Sequence, residues 1–165
     1  MPRDLRSTDR NDPTGQPADG EACPMPGAPE DRSDAAAVRR MLAGKRIAVV
    51  GLSDDPSRAS YGVAAYLRSV GKEIIPVNPT YSTVMGLKSY PSLEAVPGPI
   101  DVVDVFRRPE HCADVVRSAV AVGAKGVWLQ SGIVSDEARQ IARRAGIDYV
   151  EDRCLKVDHM FGGDG

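Results

Sequence analysis

A glycine, two serines and an arginine that follow an apolar segment form a candidate binding site for a phosphate group. Gly51 comes directly after the run IAVV, and Ser53, Ser57 and Arg58 follow within seven residues. Glycine permits a sharp turn, hydroxyl and guanidinium groups bind phosphate oxygens, and the first amides of a following helix attract anions. We therefore predict that a phosphate-bearing ligand binds at this turn. Asp54 and Asp55 would repel a phosphate, so we expect both side chains to face solvent.

Three further polar clusters also follow apolar segments. Asn78 and Pro79 come after the second segment, Phe106 and Arg107 after the third, and Gln130-Ser131-Gly132 after the fourth. In open α/β sheets a ligand binds beyond the carboxyl ends of the strands, where the strand order reverses. We therefore expect all four clusters to converge on one crevice.

The segments around these clusters alternate between strand and helix patterns. Continuous apolar runs of strand length are typical of parallel strands that helices cover on both faces. Right-handed crossovers keep successive strands parallel, so the pattern predicts an α/β fold with a doubly wound, five-stranded parallel sheet in three layers, α/β/α. The predicted strands lie at residues 46–51, 73–79, 101–106, 125–130 and 147–152, after a short first helix at 34–43.

Local signals predict where the helices begin and which residues face inward. Ser60 and Ser135 are predicted to cap the second and fourth helices, and Pro109 to begin the third. Val70 and Ala145 are predicted on inward-facing stripes. Residues 80–99 contain many turn residues, which predicts an irregular crossover with one or two helical turns at 92–96.

Length and composition limit the class of protein. A chain of 165 residues with a formal net charge of −2 suits one ordinary domain and argues against nucleic acid or an anionic membrane as a partner. Residues 1–33 are rich in Pro, Gly and charged residues, which predicts a disordered tail before a domain at 34–165.

We predict a cytoplasmic protein, because no apolar run approaches the roughly 20 residues of a membrane span and no signal-peptide core is present. Cys23, Cys112 and Cys154 are widely separated, which favours reduced thiols over a metal or disulfide framework.

The residues after the second strand distinguish between dinucleotide ligands. An NAD site usually carries a carboxylate there, and an NADP site an arginine close by. The stretch VNPTYS has neither, and the next cation is Lys88, ten residues after Asn78. A nicotinamide cofactor is therefore disfavoured. The neutral amide of Asn78 would not repel an additional phosphate.

Six motifs together resemble the small stand-alone CoA-binding proteins. They cover residues 35–161, in the order IAVVGLS, VNP, YPSL, VDVFRRP, GAKGVWLQSGI and DRCLKVDH. The fold of these proteins is similar to the nucleotide-binding domain at the start of the succinyl-CoA synthetase α subunit. The resemblance implies a Rossmann-like domain whose cofactor is coenzyme A.

The resemblance also implies roles for individual residues. The diphosphate of CoA would lie over the turn at 51–53 and the start of the following helix, with Ser53, Arg58 and Tyr61 along the phosphates and pantetheine. Asn78 and Pro79 would lie near the adenosine, and Phe106 and Arg107 would line the crevice. Taken together, the predicted binding residues are Gly51, Leu52, Ser53, Ser57, Arg58, Tyr61, Asn78, Pro79, Phe106, Arg107, Gln130 and Gly132.

The sequence leaves the function class open between a binding module and an enzyme. His111 and His159 are interpreted as surface and structural residues, so no catalytic group is predicted. The favoured hypothesis is a CoA-binding or acyl-CoA-binding module with a sensing, carrier or regulatory role, acting with another protein as a monomer or homodimer. The alternatives are an NAD(P)-dependent oxidoreductase and an enzyme acting on acyl-CoA. A third hypothesis is that Cys154 forms a mixed disulfide with the CoA thiol. The alternative for this residue is a buried thiol with only a structural role.

Overall fold

A five-stranded parallel sheet organises the residues that the computed structural model describes, 35–162. Its order is β2-β1-β5-β6-β7, and β3 and β4 form a separate antiparallel hairpin. The strands are β1 (Arg46–Val50), β2 (Glu73–Val77), β3 (Thr83–Val84), β4 (Leu87–Lys88), β5 (Val102–Val105), β6 (Gly126–Leu129) and β7 (Asp148–Val150). The helices are α1 (Ala35–Ala43), α2 (Ala59–Ser69), α3 (Pro109–Ala121), α4 (Asp136–Ala145) and α5 (Leu155–Gly162), with a 3₁₀ turn at Leu93–Ala95.

The strand order confirms the predicted doubly wound α/β fold. The chain places β2 on one side of β1 and then crosses back to place β5 on the other side. The connections that leave the carboxyl ends of β1 and β5 therefore run to opposite faces of the sheet, which opens a crevice between them. The predicted disordered tail at 1–33 lies outside the described residues.

Two apolar clusters pack on the two faces of the sheet. Val103, Val105 and Val127 belong to the cluster under α3 and α4, whereas Val49 and Trp128 belong to the cluster under α1, α2 and α5. Neighbouring strand residues alternate between the clusters because successive side chains of a strand point to opposite faces. Helices therefore cover both faces, which explains why the strands are apolar along their length.

The helix ends agree only partly with the sequence predictions. Pro109 begins α3, and the Oγ of Ser135 accepts a hydrogen bond from the amide of Ala138 (3.1 Å), which confirms both predicted starts. Ser60 does not cap α2, since the helix begins at Ala59 and the Ser60 side chain is buried inside the first turn. Val70 and Ala145 are predicted to face inward at the ends of α2 and α4. Both residues are exposed, so these two predictions are wrong.

The crossover between β2 and β5 is irregular, as predicted, and contains one element that the sequence did not suggest. Its tight hairpin turns at Met85 and Gly86, which have φ angles of 56° and 76°. Two consecutive left-handed residues suit the turn of a two-residue hairpin, but methionine is an unusual residue for that conformation.

Among residues 35–162, none of the helices has both the length and the apolar character required to span a bilayer.

Candidate functional site

A cavity of about 540 Å³ lies at the carboxyl ends of β1, β2 and β5. The ends of these strands, one face of α3 and part of the crossover after β2 form its walls. Its volume and its mixture of apolar surface with a few polar groups are typical of a small-molecule site. The apolar part of the lining includes Val50, Val77, Leu93, Phe106 and Val115, and the polar part includes Asn78, Thr80, Ser92, Arg107, His111, Asp114 and Ser118.

Gly51 occupies the closest point between the ends of β1 and β5. Its φ angle is +86°, and its amide donates a hydrogen bond to the carbonyl of Val77 (2.9 Å). A Cβ atom at this position would lie 2.6 Å from the carbonyl oxygen of Phe106 and 3.3 Å from the Cδ of Arg107. Glycine is therefore required both by the backbone conformation and by the contact with the loop after β5.

The turn between β1 and α2 is held by its own side chains. The amide of Ser53 donates to the buried Ser60 Oγ (3.1 Å), and the Ser53 Oγ accepts from the amide of Asp55 (3.0 Å). Asp55 in turn accepts from the amide and hydroxyl of Ser57, which lowers the pKa of its carboxyl group. Asp54 and Asp55 are exposed, as predicted. Because both side chains are exposed, neither places a buried negative charge at this turn.

Asn78 fastens the same turn to the end of β2. Its Nδ2 donates to the carbonyl of Leu52 (3.0 Å), and its Oδ1 accepts from the amide of Thr80 (2.9 Å). Both ends of the amide therefore have partners within the protein. Asn78 lines the cavity, and its side chain also positions the backbone of Leu52.

Arg107 is the only arginine or lysine among the described residues that line the cavity. It is half-buried, and its guanidinium forms no salt bridge with any residue between 35 and 162. The next residue, Arg108, has a side chain that is 82% exposed and lies 3.9 Å from Glu110. Two adjacent arginines thus have different environments, and only the first contributes its charge to the cavity.

The structure brings together some of the predicted site residues and separates others. Gly51, Asn78, Pro79, Phe106 and Arg107 line the cavity. The residues of the turn and of the start of α2 lie beside it in the chain without lining it. The residues after β6 are also absent from the lining. The first group is Leu52, Ser53, Ser57, Arg58 and Tyr61, and the second group is Gln130 and Gly132.

Helix α3 contributes residues that the sequence analysis missed. His111, Asp114, Val115 and Ser118 all line the cavity. Their spacing of three, four and seven residues places them on one face of a helix. This spacing is visible in the sequence, but sequence reasoning interprets His111 as a surface residue.

A buried aspartate lies near the carboxyl end of β5, two residues before Phe106. The side chain of Asp104 is completely buried, and its Oδ1 accepts from the Nε2 of Gln130 (2.6 Å). Its Oδ2 has no hydrogen-bond partner within the described part of the chain. Burial raises the pKa of the Asp104 carboxyl to about 7, against a smaller opposite effect of the Gln130 hydrogen bond. Gln130 therefore serves this internal pair instead of the cavity.

The other reactive side chains lie away from the cavity lining. His159 is hydrogen-bonded through Nδ1 to the Tyr66 hydroxyl (2.9 Å), and its pKa is lowered by burial and by Lys72. Burial raises the pKa of Cys112 to about 11, and Cys154 is half-buried before α5. Within the described residues, no group of three or more His, Cys, Asp and Glu side chains is arranged to hold a metal ion.

The sequence of residues 45–160 matches the family described as the CoA binding domain. This match spans most of the chain and all five strands of the sheet described above. The protein therefore belongs to the CoA binding domain family.

Relatives of two kinds share this domain. The uncharacterized protein YneT of Bacillus subtilis is 45% identical over 115 residues, which cover 70% of this chain and 85% of YneT. The structure of a hypothetical protein from Pyrococcus horikoshii OT3 has a TM-score of 0.76 and 37% identity, covering 82% of this chain and 96% of that chain. The α subunit of an ADP-forming acetate–CoA ligase II from Pyrococcus furiosus is 26% identical over 122 residues, but only 27% of its length is covered. The matches to the small proteins thus cover most of the length of those proteins. The match to the ligase subunit covers about a quarter of that much longer chain.

Proposed function

We propose that this protein binds coenzyme A, free or acylated, in the cavity at the carboxyl ends of β1, β2 and β5. We further propose that it acts as a sensing, carrier or regulatory module that holds the ligand without transforming it. Membership of the CoA binding domain family supports the first part. The similarity to YneT along most of that protein supports a module that acts outside a ligase polypeptide.

The observation that carries the proposal is the position of Arg107 in the cavity. Its guanidinium has no carboxylate partner among residues 35–162, and its Cδ lies beside the Gly51 bend. CoA carries a diphosphate and a ribose 3′-phosphate, and a guanidinium binds phosphate oxygens through charge-assisted hydrogen bonds. The adjacent apolar lining suits the face of a purine base. The cavity therefore offers one cation and one apolar surface to a ligand with phosphates and an adenine.

The groups at the end of β2 argue against a nicotinamide dinucleotide. A site for NAD usually supplies a carboxylate at that strand end to accept from the ribose hydroxyl. Here the corresponding side chain is Asn78, whose amide is already bonded to Leu52 and Thr80. The carboxylate that does line the cavity belongs to Asp114, more than one turn into α3. This arrangement favours CoA over NAD.

Titration calorimetry of the full chain with CoA, NAD and NADP tests the proposed ligand. We expect heat and saturation with CoA, and an affinity for both nicotinamide cofactors that is at least tenfold weaker. Tighter binding of NAD or NADP than of CoA would overturn the proposal.

The proposed absence of chemistry needs a separate assay. Incubation of the purified protein with acetyl-CoA should leave the thioester intact, as followed by chromatography against a protein-free sample. Catalytic turnover of the thioester by the purified chain would show that it is an enzyme acting on acyl-CoA.

A further inference from the structure

We propose that Asp114 selects the base of the bound nucleotide by accepting a hydrogen bond from the exocyclic amino group of adenine. This inference rests on the proposed function, since it places the nucleotide end of CoA in the cavity. It assigns a role in specificity to a face of α3 that the sequence analysis did not include in the site.

The cavity carries opposite charges at two separate places. Arg107 lies in the loop before α3, beside the Gly51 bend. Asp114 is five residues after Pro109, the first residue of α3, which corresponds to about 7.5 Å along the helix axis. Both residues line the same cavity. A ligand with a negatively charged end and a neutral end that donates hydrogen bonds would therefore bind in one orientation.

The nucleotide of CoA has this polarity. Its phosphates are attracted by the Arg107 guanidinium, whereas the Asp114 carboxylate, which is paired with Arg117, offers them no hydrogen-bond donor. The uncharged base is therefore the part that is placed toward Asp114. The lining of the same cavity also contains the apolar side chains of Val50, Val77, Leu93 and Val115.

The Asp114 carboxylate is already oriented, and one of its oxygens remains available. The Nη1 of Arg117 donates to Asp114 Oδ1 (2.6 Å), and the Nη2 of the same arginine donates to Glu137 Oε2 (2.6 Å) on α4. Arg117 is thus held from both sides. No residue between 35 and 162 donates to Asp114 Oδ2, and the side chain is 82% exposed, so a ligand can reach it.

An ionised carboxylate only accepts hydrogen bonds, so it must pair with a donor on the ligand. Adenosine offers two kinds of donor, the exocyclic amino group and the ribose hydroxyl. In CoA the free 2′-hydroxyl is adjacent to the 3′-phosphate, so a carboxylate bound there would be close to a strongly negative group. The amino group at the far end of the base carries no such penalty. The chemistry of the ligand therefore assigns Asp114 to the base.

The test compares adenosine 3′,5′-bisphosphate with its analogue that lacks the amino group, purine riboside 3′,5′-bisphosphate, and with the 2′-deoxy form. Calorimetry on the wild-type chain should show about tenfold weaker binding of the amino-free analogue, as expected for one hydrogen bond to a charged group. In Asp114→Ala this ratio should fall to about one, and Asp114→Asn, which keeps an acceptor oxygen, should restore part of it. Glu137→Gln removes the other partner of Arg117 from outside the cavity and should keep the wild-type ratio.

The outcomes separate this inference from the proposed function. An unchanged ratio in Asp114→Ala, or an Asp114-dependent loss with the 2′-deoxy form instead, would overturn the role in base selection while nucleotide binding stood. The proposed function itself would be overturned if the wild-type chain bound neither CoA nor adenosine 3′,5′-bisphosphate.

Discussion

At the scale of single residues, Gly51 joins the fold to the candidate site. Its positive φ angle and the closeness of the Phe106 carbonyl leave no room for a side chain. The sequence indicated a turn at this glycine from its position after a strand. The contact with the loop after β5 could not be predicted, because it depends on which strand lies beside β1.

Substitution of Gly51 by alanine should destabilise the protein. We expect a loss of about 1–3 kcal/mol in the free energy of unfolding, because alanine must adopt a left-handed conformation and displace the Phe106 carbonyl. Gly62→Ala is the matched control, since Gly62 lies inside α2 with open space around its Cβ position. Urea denaturation measures both. Equal stabilities of the two variants would contradict this explanation of Gly51.

Arg107 and Arg108 form a natural pair for testing the role of charge in the cavity. Arg107→Ala should weaken CoA binding by about 10- to 100-fold, the usual loss for a charge-assisted hydrogen bond to phosphate. Arg108→Ala should change the affinity by less than about threefold, because its side chain faces solvent. Calorimetry at one fixed salt concentration makes the comparison. Similar losses in both variants would indicate a general electrostatic effect instead of a site at Arg107.

At the scale of secondary structure elements, β5 combines an apolar strand with a buried carboxyl group. Asp104 pairs in register with Val49 of β1 and with Trp128 of β6, in the middle of the sheet. Desolvation explains why its pKa is raised to about 7. The folded chain therefore keeps a proton that the unfolded chain releases near pH 4.

The stability contributed by this proton should be lost as pH rises. Below about pH 4 the carboxyl group is protonated in both states, whereas between pH 4 and pH 7 only the folded state holds the proton, so raising the pH opposes folding. We expect Asp104→Asn to be relatively more stable than the wild type at pH 8 than at pH 5, by urea denaturation. Asp101→Asn should show no such change between pH 5 and pH 8, because hydrogen bonds from the backbone amides of Arg46 and Lys45 lower the pKa of Asp101 and leave it ionised in both states over this range. A difference between Asp104→Asn and wild type that is constant with pH would contradict this assignment.

The elements themselves were predictable where one local pattern determined them. The five buried strands were found because helices on both faces make each of them largely apolar. Ser60 was misjudged because a serine at a helix start normally caps it, whereas here its hydroxyl is buried and accepts from Ser53. The hairpin at Met85 was missed because its turn uses a residue that rarely adopts a positive φ.

At the scale of the whole molecule, the strand order determines where the site can form. β1 lies between β2 and β5, so the residues after these three strands line one cavity, and those after β6 do not. The sequence predicted which residues end the strands. It could not show that Gln130 turns to Asp104, nor that α3 presents Asp114 to the cavity, because both depend on packing between distant elements.

The most direct test of the proposed site is hydrogen–deuterium exchange of the full chain with and without CoA. Binding in the cavity should slow exchange in the segments 51–62, 78–81 and 106–118, which contain the lining residues after β1, β2 and β5. Exchange around residues 40–45 and 125, at the amino ends of the strands, should not change. The proposed site would be contradicted if saturating CoA left segments 51–62, 78–81 and 106–118 unprotected. Protection around residues 40–45 and 125 instead would contradict it as well.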